Sequence, residues 1–137
     1  MIVIDSGPLV AIADATDEDH ELCIAAFADL REPLLIPAPV LGEVGYMVQR
    51  QIGSPGEARF LRSLDNGAFA LAPLTFADLH RMADLIDTYA DLHLGTVYAS
   101  VIALAERLGV TTIATLDWRH FTVVRPRHVE AFRLLPD

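Results

Sequence analysis

Gly95-Thr96-Val97-Tyr98-Ala99-Ser100-Val101-Ile102-Ala103-Leu104-Ala105-Glu106-Arg107-Leu108-Gly109 leads directly into Val110-Thr111-Thr112-Ile113-Ala114-Thr115-Leu116-Asp117. Gly95 and Thr96 introduce a helix that runs to about Leu108, and Gly109 is its stop. Thr111 to Leu116 is β-branched and apolar, a strand that ends at the charged Asp117. A helix feeding a short buried strand is half of a crossover unit, and the rest of the chain repeats the alternation.

Met1 to Ile4 is a short apolar run stopped by Asp5, Ser6, Gly7 and Pro8, which suits a strand buried on both faces. From Asp19 to Arg31, Leu22, Ala25, Ala26, Ala28 and Leu30 recur at helical spacing, and Leu34 to Ile36 reads as a second strand ended by Pro37 and Pro39. Val40 to Gln51 reads as a helix. Gly53 separates it from another that opens on Ser54-Pro55-Gly56-Glu57, a capping box with proline at the first helical position. Phe69 to Leu71 is a third strand, and Thr75 to about Tyr89 a helix with Leu79, Met82, Ala83 and Ile86 on one face. Phe121 to Arg125 and Val129 to Leu135 read as one or two edge strands. Strands alternating with helices imply right-handed crossovers, a mainly parallel central sheet and helices on both faces: an α/β fold in one domain, residues 1–137.

The 137 residues and 53% hydrophobic content fit one compact domain and exclude a largely disordered chain. No uncharged apolar run is long enough for a membrane span, and Asp5 arrives too early for a signal peptide, so a cytoplasmic location is expected. Cys23 is alone, which excludes an internal disulfide and a cysteine zinc cluster; it reads as a small buried side chain in a helix. Nineteen acids against ten bases give a net charge of −9, and every base is arginine. That sign argues against broad electrostatic binding to nucleic acid. The last twenty residues run the other way, with four arginines against two acids.

Asp5 and Asp117 are each the first charged residue after an apolar strand. In an open parallel sheet ligands bind beyond the carboxyl ends of the strands, so two such aspartates can face one crevice. Each alone also reads as a turn or N-cap residue. Glu43 shares a helical face with Val40 and Met47 and is expected to point partly inward, where a carboxylate needs a partner. An arginine would serve. A divalent cation shared with Asp5 and Asp117 would answer all three, and an all-oxygen set suits Mg²⁺ or Mn²⁺. Gly42 and Gly45 are expected to allow a close helix approach.

Ile2-Val3-Ile4-Asp5-Ser6, the embedded Glu43, the stretch Tyr89 to Glu106, and Thr112-Ile113-Ala114-Thr115-Leu116-Asp117-Trp118-Arg119-His120-Phe121 occur in order at suitable separations. Together they resemble the PIN-domain ribonuclease toxins of the VapC type over essentially the whole chain. The resemblance implies a PIN-like three-layer α/β/α sandwich in which four acidic residues gather at one end of a parallel sheet and bind Mg²⁺ or Mn²⁺. Those positions map to Asp5, Glu43, residue 98 and Asp117. Here residue 98 is Tyr98, where the family has aspartate in a Gly-Thr-Val-Asp-Ala-Ser type of motif. Tyrosine is neutral at pH 7 and a poor ligand for Mg²⁺. With Thr96 as N-cap, residue 98 falls in the first turn, where aspartate is favoured. Three explanations stay open: a natural loss of activity, an inactivating change acquired or introduced because the active toxin harms its host, or compensation by Asp91, whose other reading is a polar loop residue. Ser6 and Thr115 are supporting candidates.

For the family-type active form the resemblance implies hydrolysis of an RNA phosphodiester. Metal held by Asp5 and the aspartate expected at 98 would activate a water, Glu43 would orient it or act as base, and Asp117 would complete the site. With Tyr98, weaker metal binding and greatly reduced cleavage are expected. Arg119, His120, Arg125, Arg127 and His128 are the candidates for RNA contact, and their other reading is a solubilising edge. Trp118 reads either as packing or as a base-stacking ring. The family also implies a homodimer and a VapB-type antitoxin, with the helices Val40 to Gln51 and Ser54 to Leu64 offering a groove. The rival reading is a non-enzymatic pseudo-nuclease that binds an antitoxin or RNA. A phosphotransfer enzyme with Asp5 as nucleophile is disfavoured, because residue 7 is glycine and the Asp-x-Asp pair is absent.

Overall fold

The computed structural model describes residues 1–137. Strands β1 (Ile2–Ile4), β2 (Leu34–Pro37), β3 (Phe69–Ala72), β4 (Thr112–Ala114) and β5 (Arg133–Leu135) form one sheet in the order β3-β2-β1-β4-β5. Every pairing is parallel, with Val3 opposite both Leu35 and Ile113, Ile36 opposite Leu71, and Ile113 opposite Leu134. Ile2, Val3 and Ile4 are essentially solvent-free, which is why this strand is an uninterrupted apolar run: a central parallel strand is covered on both faces.

Helices α1 (Ser6–Ala13), α2 (His20–Phe27), α3 (Ala38–Ser63), α4 (Phe76–Thr88), α5 (Gly95–Leu108) and α6 (Trp118–Val123) flank the sheet in a three-layer α/β/α arrangement. Along α5 the run Ala99 to Ala105 is buried, alanine and β-branched side chains letting it lie close to the sheet and to α4. Thr75 and Asp78 close a reciprocal capping box at the start of α4. Cys23 is buried in α2, as expected. No helix is long and apolar enough to cross a membrane.

Several local expectations are corrected. Ser6-Gly7-Pro8 does not end the first element in a loop but opens α1, with Pro8 in the first turn, where backbone N–H groups have no partner within the helix. The helix expected from Asp19 to Arg31 covers only His20–Phe27. The two expected helices around Gly53 form one element with a break at Gly53, whose φ of 80° only glycine adopts freely. Ser54 and Glu57 make no reciprocal capping bonds there; the Glu57 carboxylate lies against Gly45. A Cβ on Gly42 would meet nothing, so of the two glycines only Gly45 marks a close approach. Thr96 does not cap α5, which instead starts from Gly95 in a left-handed conformation, φ 73°. Phe121 is not in an edge strand, because Asp117 accepts the His120 N–H and turns the chain into α6. Only Arg133–Leu135 remains as the edge strand β5.

Candidate functional site

The chain leaves β1 for β2 and β3 on one side of the sheet and returns for β4 and β5 on the other. The order therefore reverses between β1 and β4, and crossovers departing in opposite directions open a crevice beyond their carboxyl ends. Asp5 is the first residue after β1, and its N–H donates to the Ala114 carbonyl of β4 (2.9 Å). Asp117 follows β4 by three residues. Buried Thr115 ties the two together: its hydroxyl donates to Asp5 Oδ2 (2.9 Å) and accepts the Asp117 N–H (2.9 Å).

Two helices bring the other members. Glu43 stands on α3 and accepts a hydrogen bond from the Ser6 hydroxyl of α1. Contrary to the expectation of an inward-pointing group, Glu43 is exposed; it faces the open crevice, and water with Ser6 supplies the partners a buried carboxylate would have lacked. Tyr98, half-buried at the start of α5, donates its hydroxyl to Asp117 Oδ2. His120 Nδ1 lies 2.8 Å from the same oxygen, and the His120 N–H donates to Asp117 Oδ1 (3.1 Å). The Tyr98 ring packs against Phe121 and edge-on against His120, both at 5.4 Å between centroids.

The electrostatics of the two aspartates diverge. Burial pushes the Asp5 carboxyl up to about 6, outweighing the hydrogen bonds from the Ser6 N–H and Thr115, and the negative Glu43 and Asp117 add to the rise. Burial also acts on Asp117, yet the donors Tyr98 and His120 overcome it and hold this carboxyl below the usual range. Tyr98 is driven well above the ordinary phenol range by burial, by donation to Asp117 and by the surrounding carboxylates. Its hydroxyl is therefore a neutral donor at any physiological pH.

Asp5, Ser6, Glu43, Tyr98 and Asp117 line a crevice of about 630 Å³ together with Gly7, Met47, Leu116, Trp118 and Arg119. Three carboxylates and two hydroxyls are the oxygen donors that a hard divalent cation takes. The arrangement does not hold one: no three acidic, histidine or cysteine side chains stand close enough to share an ion. The fourth position is a protonated phenol whose hydroxyl is already committed to Asp117. As arranged, these residues do not fit a bound Mg²⁺ or Mn²⁺.

The remaining candidates separate. Arg119 lines the crevice and His120 braces Asp117. Arg125 is turned back onto the Thr122 carbonyl (2.7 Å), and Arg127 stands beside Glu106, Arg81 and His128 in a different depression. His128 Nε2 bonds the Val110 carbonyl (2.6 Å). Asp91 sits exposed on the turn Ala90–Leu92, outside the residues lining the crevice. Gly7 and Leu116 were not singled out by sequence reasoning. They meet in the fold, where a Cβ on Gly7 would lie 3.3 Å from that of Leu116, and only glycine's place one step past the Asp5 turn hinted at it.

The PIN domain family matches residues 2–125. Ribonuclease VapC26 of Mycobacterium tuberculosis is 32% identical over 135 residues, covering 98% of this chain and 100% of that protein. Among solved structures, VapC20 of M. tuberculosis, described as a sarcin-ricin loop cleaving toxin, superposes with a TM-score of 0.76 at 15% identity, over 82% of this chain and 87% of the other. FitAcB from Neisseria gonorrhoeae gives 0.59 at 21% identity, over 85% and 88%. These two likenesses speak for the fold, and the sequence matches speak for descent. By those sequence matches the chain belongs to the PIN-domain family, as a member of its VapC type.

Proposed function

We propose that this chain is the toxin of a type II, VapBC-type toxin-antitoxin system, built to cleave RNA phosphodiester bonds with a divalent cation and impaired in that chemistry by Tyr98. The observation that carries the reading is the convergence of Asp5, Glu43 and Asp117 on one crevice at the switch point of the sheet. Likeness to a ribonuclease that this chain matches over its full length supports the substrate class. Mg²⁺, with Mn²⁺ as equivalent, is the cation of the family-type reaction. The residues present do not assemble a site for it, so no catalytic step of this chain is drawn through it.

Asp117 is kept ionised by Tyr98 and His120, while Asp5 is the carboxyl whose charge state changes near pH 6. Arg119 is the cation lining the crevice and the candidate to meet a phosphate, since the chain's overall charge of −9 repels RNA elsewhere. Arg125 and Arg127 lie outside that crevice and have the weaker claim to RNA contact. A VapB-type antitoxin and a second copy of the chain are the proposed protein partners, in the cytoplasm. The exposed Leu61 and Leu71, beside half-buried Leu41, form an apolar set along α3 and β3 that supports a protein-binding face.

The second reading is a pseudo-nuclease that binds an antitoxin or RNA without cutting. The Tyr98 hydrogen bond to Asp117 favours it, because it satisfies the carboxylate with a hydroxyl in place of a cation. Cleavage of RNA with Mg²⁺ or Mn²⁺, by this chain beside its Tyr98→Asp variant, separates the two. Weak activity in the first and strong, chelator-sensitive activity in the second is expected; equally strong activity in both contradicts the role given to Tyr98.

A further inference from the structure

Around the crevice the aromatic side chains pair with one another, with one exception. Tyr98 packs on Phe121 and His120, Phe121 on Phe132, and Phe132 on His128, a continuous chain of ring contacts running into the core. Trp118, immediately after Asp117, takes no part in it. Its indole meets no other ring and makes no hydrogen bond, and the residue is 46% exposed on the lip of the crevice that holds the three carboxylates. Leaving nearly half of the largest apolar side chain of the protein in water forgoes part of its burial, while tryptophan also has the broadest face on which a nucleic-acid base can stack.

The setting fits that use. Trp118 occupies the first position of α6, held there by the Asp117 cap, so its backbone is fixed relative to the carboxylates. Arg119 lines the same crevice and supplies a positive group for the backbone of a strand whose base rests on the indole. Because the protein is strongly acidic, phosphate contacts add little in total, and stacking has to carry a larger share of any affinity. Single-stranded RNA can splay a base onto such a ring, whereas an A-form duplex keeps its bases stacked internally.

Resting on the reading of the crevice as RNA-directed, we infer that Trp118 is the base-stacking platform of this site, seating an unpaired base beside the carboxylates and giving the chain its preference for single-stranded over duplex RNA. The role is one of binding and positioning, separate from the cation chemistry that Tyr98 affects.

The test uses the whole chain and a single-stranded RNA oligonucleotide in chelator, so that binding is read without cleavage. Trp118 is the only tryptophan, and its fluorescence reports the stack directly. Quenching on RNA addition is expected, with affinity by anisotropy of labelled RNA falling about tenfold in Trp118→Ala and staying within about threefold in Trp118→Phe. The same sequence as a duplex should bind more weakly. RNA that binds without quenching, equally well to the wild type and to Trp118→Ala, or as well in duplex form, overturns the platform and leaves the RNA reading standing. Absence of RNA binding by the wild-type chain overturns both.

Discussion

Replacing Asp5 by asparagine should stabilise this protein above about pH 6 and lose that advantage in acid. The carboxyl is 5% exposed, and burial raises it from 3.8 to about 6. At 1.36 kcal/mol per pH unit, keeping it ionised in the folded state costs about 3 kcal/mol. Because the folded pKa lies above the unfolded one, the stability contributed by the protonated carboxyl is fully present below about 3.8 and is lost as pH rises through about 6. An amide at this position keeps an oxygen to accept from Thr115 and the Ser6 N–H, and it has no charge to desolvate. The stability difference between the variant and the wild type should therefore widen by about 2.5 kcal/mol between pH 4 and pH 8, nearly all of it before pH 7. Urea unfolding midpoints of both proteins, taken at several pH values with unchanged m, measure that difference. A difference that stays constant with pH, or that narrows as pH rises, would refute the account of a buried carboxyl pressed by Glu43 and Asp117.

Three further outcomes follow from particular contacts. Tyr98→Phe removes a donor from Asp117, whose carboxyl should titrate higher by carbon NMR. Since a depressed carboxyl stabilises above its unfolded pKa and loses that as pH falls, the variant should also begin acid unfolding at higher pH. Arg81→Ala leaves Glu106, bound bidentately at 2.7 and 3.0 Å, with the Arg127 N–H as its remaining donor. A loss of about 2 kcal/mol is expected in denaturant melts, less than for a fully buried pair because the arginine keeps some contact with water. Gly53→Ala forces a side chain onto a φ of 80° at the break in α3 and should cost about 2 kcal/mol, read as a lower melting temperature without change in RNA binding.

The parts of the fold legible in the sequence were those written in uninterrupted apolar runs. Ile2 to Ile4, and Ile113 and Ala114 of β4, are buried, so no alternation blurs them, and each strand is followed within three residues by an aspartate. That pairing of strand end and charge also made the convergence of Asp5 and Asp117 readable. Helix α1 was hidden because Ser6-Gly7-Pro8 is also the composition of a turn, and only the packing of Leu9, Val10 and Ala11 decides for a helix. Phe121 to Val123 has strand-like residues, yet the cap from Asp117 and the burial of Phe121 draw them into α6. The exposure of Glu43 was beyond pattern reasoning. Its helical face was read correctly, but that face meets an open crevice where a core was expected. The contact between Tyr98 and Asp117 depends on how α5 lies over the ends of β1 and β4, which no local spacing reports.

Under the proposed function, the crevice is a nuclease site that lacks one carboxylate, at residue 98. The most direct measurement is turnover of RNA, with Mg²⁺ or Mn²⁺ and with chelator, by the wild type, by Tyr98→Asp, and by Tyr98→Asp combined with Asp5→Asn. Cleavage by Tyr98→Asp should exceed that of the wild type by at least about tenfold, the scale on which metal sites respond to loss of even a supporting group. It should vanish in chelator and in the double variant. Wild-type cleavage as fast as that of Tyr98→Asp, or Tyr98→Asp activity that survives loss of the Asp5 charge, would contradict it.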